Sequence, residues 1–373
     1  AFLQGHLYLE PRGTSLDLAF YHNKYYIYWP PVPVLVYMPL VALFGVDLPG
    51  ALICASFGAC NVWLIINIAE SLNTRLSLNL PNPVKYFTAI FWGLGTVHFY
   101  MSISGEVWFI SQIMAQTFLL ASILLILNRA HICIAGVFFS LAVYTRNNLL
   151  FSALFIIPLF LSLNNKRDKL KSILLFSIPF ILFSIANLWY NYARFGNMLD
   201  NGIKYHLMSS YFYETYKTYG YFSMHYLLHN LHVEFFLAPH LRLGWPFIVY
   251  DPVGFGFLWA SPVFLLALPA AYIWVRRFFV TEQTSISRQV HFLMTMSAFV
   301  FAVIALVILL IMGTGWAQFA ARYTLDFYIF IIIFILLSWN TVSKIKYINA
   351  MAVFLLFISM IVQYNGVLLY RLD

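Results

Sequence analysis

Two arginines stand where arginine is costly. Arg146, in Tyr144-Thr-Arg-Asn-Asn148, and Arg322, in Gln318-Phe-Ala-Ala-Arg-Tyr323, each border a long apolar run. A guanidinium presents planar, paired N–H donors that match phosphate oxygens, and an ionisable side chain at membrane depth is functional by default. The plain reading of Arg146 is a cation reaching up to lipid headgroups, and of Arg322 a helix-end anchor. Arg194, Lys204 and Arg242 are weaker candidates for the same phosphate contact, because they lie in a long polar stretch where cations are ordinarily solvated. Proton transfer needs a carboxylate, and two are suitably placed. Asp17 lies four residues before an aromatic cluster, and Glu106 sits in Ser104-Gly105-Glu106-Val107-Trp108 at the start of an apolar run. Their plain readings are a loop or cap acid for Asp17 and a first-turn acid favoured by the helix dipole for Glu106.

Other chemistries have less to stand on. His225 and His229 have the i, i+4 spacing of a helical metal pair, with His232 and His240 nearby. The same stretch reads equally well as an amphipathic interfacial helix, and no acid completes a metalloprotease arrangement. A divalent metal is therefore not supported, and no cofactor is expected. No Walker loop, dinucleotide glycine fingerprint or Ser-His-Asp order occurs.

The elements that must position these residues are membrane helices. Of 373 residues, 62% are hydrophobic and 9% charged, where a soluble domain carries roughly a quarter charged residues. Lipid is the expected solvent, and residues 1 to 373 read as a single all-α, polytopic membrane domain. A crossing helix needs about 20 apolar residues, which predicts about ten spans. These fall near residues 48 to 69, 84 to 101, 107 to 127, 130 to 145, 148 to 163, 170 to 190, 254 to 275, 290 to 312, 323 to 340 and 346 to 364. The run from Val32 to Phe44 is too short to cross, starts among Pro30, Pro31 and Pro33, and stops at Gly45, Asp47, Pro49 and Gly50. It reads as a surface or half-inserted helix. Cys54, Cys60 and Cys133 sit in apolar runs, where they pack as small hydrophobes.

The net charge of +8 implies no nucleic-acid partner here, because the basic residues fall in short loops between apolar runs. Arg75, Lys85, Arg129, the Lys166, Arg167, Lys169 and Lys171 cluster, Arg276, Arg277, Arg288, Lys344 and Lys346 share one set of alternating loops. By the positive-inside rule that set is cytoplasmic. The two long segments then face outward: residues 1 to 47, a loop with juxtamembrane helices, and 191 to 253, a long loop. Both are rich in Tyr and Trp, which membrane interfaces collect in any case. The chain opens at Ala1 without an initiator Met, a charged n-region or a cleavage site, so its amino terminus reads as truncated or processed.

Four outward stretches carry a resemblance. The first is Ala1-Phe-Leu-Gln-Gly-His-Leu-Tyr-Leu with Asp17-Leu-Ala-Phe-Tyr-His-Asn-Lys-Tyr-Tyr26 and Pro30-Pro-Val-Pro33. The others are Tyr190-Asn-Tyr-Ala-Arg-Phe-Gly-Asn197, Asp251-Pro-Val-Gly-Phe-Gly256 with Ser261-Pro262, and Gly315-Trp-Ala-Gln-Phe-Ala-Ala-Arg-Tyr323. Together they resemble bacterial membrane proteins of the GT-C glycosyltransferase superfamily, related to protein mannosyltransferases and lipid A aminoarabinose transferases. The resemblance implies a sugar transferase of the bacterial inner membrane that works at its outer surface. Its donor would be a polyprenyl-phosphate-linked sugar, and its acceptor an extracytoplasmic glycan, lipid or protein. Such enzymes place an acid in the first outward loop just after a first span, which here would precede Ala1. Within the chain, Asp17 and Glu106 are the base candidates, and Arg322 and Arg146 the donor-phosphate contacts. No DxD or paired-acid motif appears in the outward loops, a departure from better known members.

A transporter or flippase of lipid-linked sugars is the competing expectation. It should carry polar residues midway along several spans. Those present, chiefly Asn61, Asn67, Gln112 and Gln116, can serve helix packing, which favours the enzyme. Residues 1 to 31, the 146 region, the 191 to 253 segment and the 313 to 322 loop are expected to converge on one cavity.

Overall fold

Backbone in lipid has only itself for hydrogen bonding, so long apolar runs are driven into helix. The computed structural model describes residues 1–10, 15–163, 169–245, 247–249, 251–279 and 285–372. Helix makes up 72% of it, and strands among the described residues amount to two short hairpins, so the all-α class holds. Lys166 and Arg167, part of the basic cluster that set the expected orientation, lie outside the described residues.

The first hairpin, β1 (Ala19–Tyr21) and β2 (Lys24–Tyr26), turns on His22 and Asn23, both at positive φ as a two-residue turn between twisted strands requires. Helix α1 (Val32–Phe44) follows, with Pro33 in its first turn, where a missing N–H costs nothing. It buries only Val32, in line with a short juxtamembrane helix.

Helix α2 (Gly50–Leu76) runs alongside α5 (Val107–Leu127), with α3 (Asn82–Leu94) and α4 (Val97–Ser104) packed against α2. Next come α6 (Ile132–Val143), α7 (Ala153–Leu163) and α8 (Lys169–Phe195). The long segment holds α9 (Ser210–Tyr219), α10 (Leu227–Leu231) and a hairpin of β3 (His240–Leu241) and β4 (Ile248–Val249). It leads to α11 (Phe257–Ala260) and α12 (Ala267–Arg277), and the chain closes with α13 (Ser285–Leu310), α14 (Tyr328–Val342) and α15 (Ile348–Leu372).

Among the described residues, six helices are long and apolar enough to cross a membrane: α2, α5, α8, α13, α14 with its 3-10 entry from Arg322, and α15. The other four expected spans take the form of shorter or interrupted helices. The 84 to 101 run breaks where Thr96 caps α4 by accepting from the His98 N–H at 3.2 Å. The 130 to 145 run yields the 12-residue α6, and the 148 to 163 run starts with 3-10 turns at Asn147–Ser152 before α7. The 254 to 275 run is divided at Ser261-Pro262, since proline cannot donate to the preceding turn. Helix α8 extends to Phe195, five residues into the expected outward loop. Within the bundle the α14 span is 89% buried and the α8 span 17%, so α14 is the hub and α8 lies at the periphery.

Candidate functional site

The site is assembled where the stretch leading into α14 meets the long segment. Gly254, at φ 82, and Gly256 let these backbones touch. A Cβ on Gly254 would lie 2.8 Å from the Ala320 backbone, and one on Gly256 would lie 2.5 Å from that of Phe235. The approach is fixed by a parallel bridge. Phe255 N–H donates to Phe319 O at 3.2 Å, and Ala321 N–H donates to Phe255 O at 2.9 Å. The Gln318 amide donates to Val253 O at 2.7 Å and Thr314 O at 2.8 Å. Two of the motif stretches are thereby one packed unit, and its product is the position of Arg322.

Arg322 opens the 3-10 turns Arg322–Phe327 and is 7% exposed. Its guanidinium lies 5.3 Å from the Tyr323 ring centre, 5.5 Å from Phe109 and 5.9 Å from Trp108. Nε and Nη1 have no hydrogen-bond partner among the described residues. Gln112, one turn along α5 from Trp108, donates to the Arg322 carbonyl at 3.0 Å.

Arg146 lies on the same ring of Tyr323, at 5.4 Å. It pairs with Asp326, which is fully buried and also accepts from the Asn148 amide at 2.6 Å. Glu234 joins them from a single π-helical turn, His232–Phe236. It is fully buried, and neither carboxylate oxygen has a hydrogen-bond partner among the described residues. Phe235 stacks on Phe327 at 6.0 Å, which ties that turn to the Arg322–Phe327 stretch. Burial pushes the Glu234 carboxyl up to about 8, with Arg322 and Arg146 pulling against that and Asp326 adding to it. At neutral pH Glu234 is mostly uncharged and Asp326 offsets Arg146, so the cluster keeps one uncompensated positive charge, on Arg322. Tyr221, beside Tyr323 and Arg146, is pushed up to about 12 by burial and stays a phenol.

The segment before α1 reaches the same place. Trp29 meets Trp108 edge-on at 6.5 Å, and Tyr28 packs on His206 at 4.4 Å while sitting within electrostatic range of Tyr221 and Tyr323. Asp17 pairs with His206 Nε2 at 3.2 Å, with about half its side chain exposed. Described residues of the 1 to 31, 146, 191 to 253 and 313 to 322 segments therefore lie together, but the expected common cavity is not seen among them. Glu106 is the N-cap of α5, two residues from Trp108, and makes no side-chain cap hydrogen bond.

The remaining candidates lie in other settings. Arg194 uses its donors inside the chain: Nη1 to Ile27 O at 2.5 Å, Nη2 to Asn191 at 2.9 Å and Nε to Tyr190 O at 3.4 Å. It clasps the segment before α1, at Ile27, to the end of α8. Lys204 is half exposed and pairs with Asp200 at 2.7 Å, and Arg242 is exposed beside the β3 to β4 hairpin. Among the described residues no group of three His, Cys, Asp or Glu could hold a metal ion. A cavity of about 550 Å³ between Glu70, Ser71, Thr74, Arg75, Asn128 and Gln289 lies at the far end of α5, about 30 Å from Trp108 at 1.5 Å per residue.

Sequence reasoning did not select Asp326 or Glu234. Asp326 carried a usable signal, an acid four residues after Arg322 within an apolar run. Glu234 carried none, since nothing local marks a lone acid before Phe235-Phe236 as buried. The chain matches no known protein family, no curated protein and no solved structure.

Proposed function

We propose that this chain is a GT-C-like membrane glycosyltransferase that moves a sugar from a polyprenyl-phosphate-linked donor to an extracytoplasmic glycan, lipid or protein. The observation that carries the reading is Arg322, nearly buried at the start of a membrane helix with two guanidinium nitrogens left without a partner. A buried guanidinium with unused donors calls for an anion at headgroup depth, where a polyprenyl phosphate would lie. Transfer breaks the bond between the sugar and the phosphate oxygen, so negative charge grows on the leaving phosphate. Arg322 would stabilise that charge through a bidentate contact in a poorly hydrated site. Arg146, held by Asp326 and Asn148, would add a second positive edge. Asp17 with His206, and Glu106 beside Trp108, are the groups to which an acceptor hydroxyl would give up its proton. In this reading the broken helices complete about ten crossings in the bacterial inner membrane, with the site outward by the positive-inside rule.

A transporter or flippase is the second reading, favoured by one observation. Gln116, fully buried midway along α5, leaves both amide atoms unpartnered, as a group lining a polar path would. Proteoliposomes separate the two. They would be loaded with polyprenyl phosphates bearing different hexoses and pentoses, and supplied with an envelope extract as acceptor. Transfer releases free polyprenyl phosphate, whereas a flippase moves the intact donor between leaflets. Intact donor crossing with no release would overturn the transferase reading.

A further inference from the structure

Glu234 is a buried acid that the transfer chemistry above does not use. Both its oxygens lack partners, and its π-helical turn is pressed against the Arg322–Phe327 stretch by the Phe235 to Phe327 stack and by the close approach at Gly256. The charged and titratable groups within its electrostatic range are Arg322, Asp326, Arg146 and, on α14, Tyr328. Helix α11, packed against the same turn, carries no titratable side chain, and His229 and His232 belong to its own helical stretch.

Resting on the phosphate reading above, we infer that Glu234 makes this a proton-coupled anion site, in which the phosphate-bound state requires Glu234 as the neutral acid. The argument is one of charge. Arg322 is the foremost influence favouring the carboxylate form of Glu234. A phosphate on Arg322 cancels that attraction and places a further negative charge within electrostatic range of a fully buried carboxylate, an arrangement that protonation relieves. Ionised Glu234 must therefore take up one proton for each anion bound, and by linkage the anion must bind more weakly as pH rises. Burial already holds the free-state value at about 8, so uptake is small at neutral pH and approaches one proton above it.

The test is calorimetric titration of the detergent-solubilised full chain with methyl farnesyl phosphate, a phosphodiester whose single charge does not change over the range used. Titrations at about pH 6.5 and about pH 9, each in two buffers of different ionisation enthalpy, report affinity and proton uptake together. The expected result is about tenfold weaker binding at the higher pH, with close to one proton taken up there. Glu234→Gln, nearly the same shape as the neutral acid, should bind equally well at both and take up none. Binding by the wild type that is independent of pH, or a pH dependence that survives in Glu234→Gln, overturns the proton coupling and leaves the phosphate reading standing. No binding by the wild type at either pH overturns both.

Discussion

Arg194 and Arg322 lie at opposite kinds of helix end. Arg194 closes α8 and Arg322 opens the stretch into α14, yet by burial alone they look alike, at 5% and 7% exposed. Both lie over aromatic rings, Arg194 at 3.7 Å from Tyr190 and Arg322 at 5.3 Å from Tyr323. The difference is in the donors. Those of Arg194 reach two backbone carbonyls and an amide, and they close a contact between Ile27 and α8 that brings distant parts of the chain together. Two nitrogens of Arg322 find no hydrogen-bond partner among the described residues. A buried cation with satisfied donors is a structural clasp, whereas one with unused donors is arranged for something outside the chain.

Substituting both arginines is the sharpest way to break the comparison. Arg322→Ala should lower transfer by about two orders of magnitude, as loss of a preorganised donor to a developing anion does, while the melting temperature stays close to wild type. Arg322→Lys keeps the charge but loses the fork, and should fall between. Arg194→Ala should do the reverse, loosening residues 1 to 31 so that limited proteolysis cuts there before the rest. Equal loss of activity with equal loss of stability in the two alanine variants would erase the distinction.

Asp326 should matter chiefly to stability. Asp326→Ala strands the Arg146 guanidinium in a mostly buried site, at a cost of about 3–5 kcal/mol by the usual penalty for breaking a buried pair. Chemical denaturation in detergent measures it. Asp326→Asn keeps a hydrogen-bond acceptor for Asn148 and should cost less.

The effect of Glu234 appears only as pH is varied, and its sign follows from linkage. The folded carboxyl titrates at about 8, above its ordinary 4.5, so between those values the native state holds a proton that the unfolded state has lost. Its contribution to stability is complete below about pH 4.5 and is lost as pH rises through 8. Melting temperature should accordingly drop more steeply from pH 5 to pH 9 in the wild type than in Glu234→Gln. Parallel curves would mean that Glu234 does not titrate in this window. Least of all should change in Lys204→Ala and Arg242→Ala, whose side chains are solvated: transfer rate and melting temperature should match wild type in both.

Legibility in the sequence followed the range of the interactions. Composition and apolar run length were enough for a helical membrane protein, because a backbone in lipid must bond to itself wherever the chain goes. Arg322 and Arg146 could be singled out one at a time, since an ionisable residue beside an apolar run is costly on its own terms. Interrupted helices were harder. The breaks at Thr96 and Ser261-Pro262 depend on short caps and turns that a hydropathy window averages away.

The tertiary structure alone decided which arginine is a clasp and which is open, because hydrogen-bond partners far off in sequence leave no local trace. Arg146 meets an aspartate 180 residues away, and Arg194 a carbonyl 167 residues away. Glu234 is the extreme case. Its burial comes from Gly254 and Gly256 admitting backbones that no local pattern brings together, and its raised pKa is a property of that enclosure rather than of the residue.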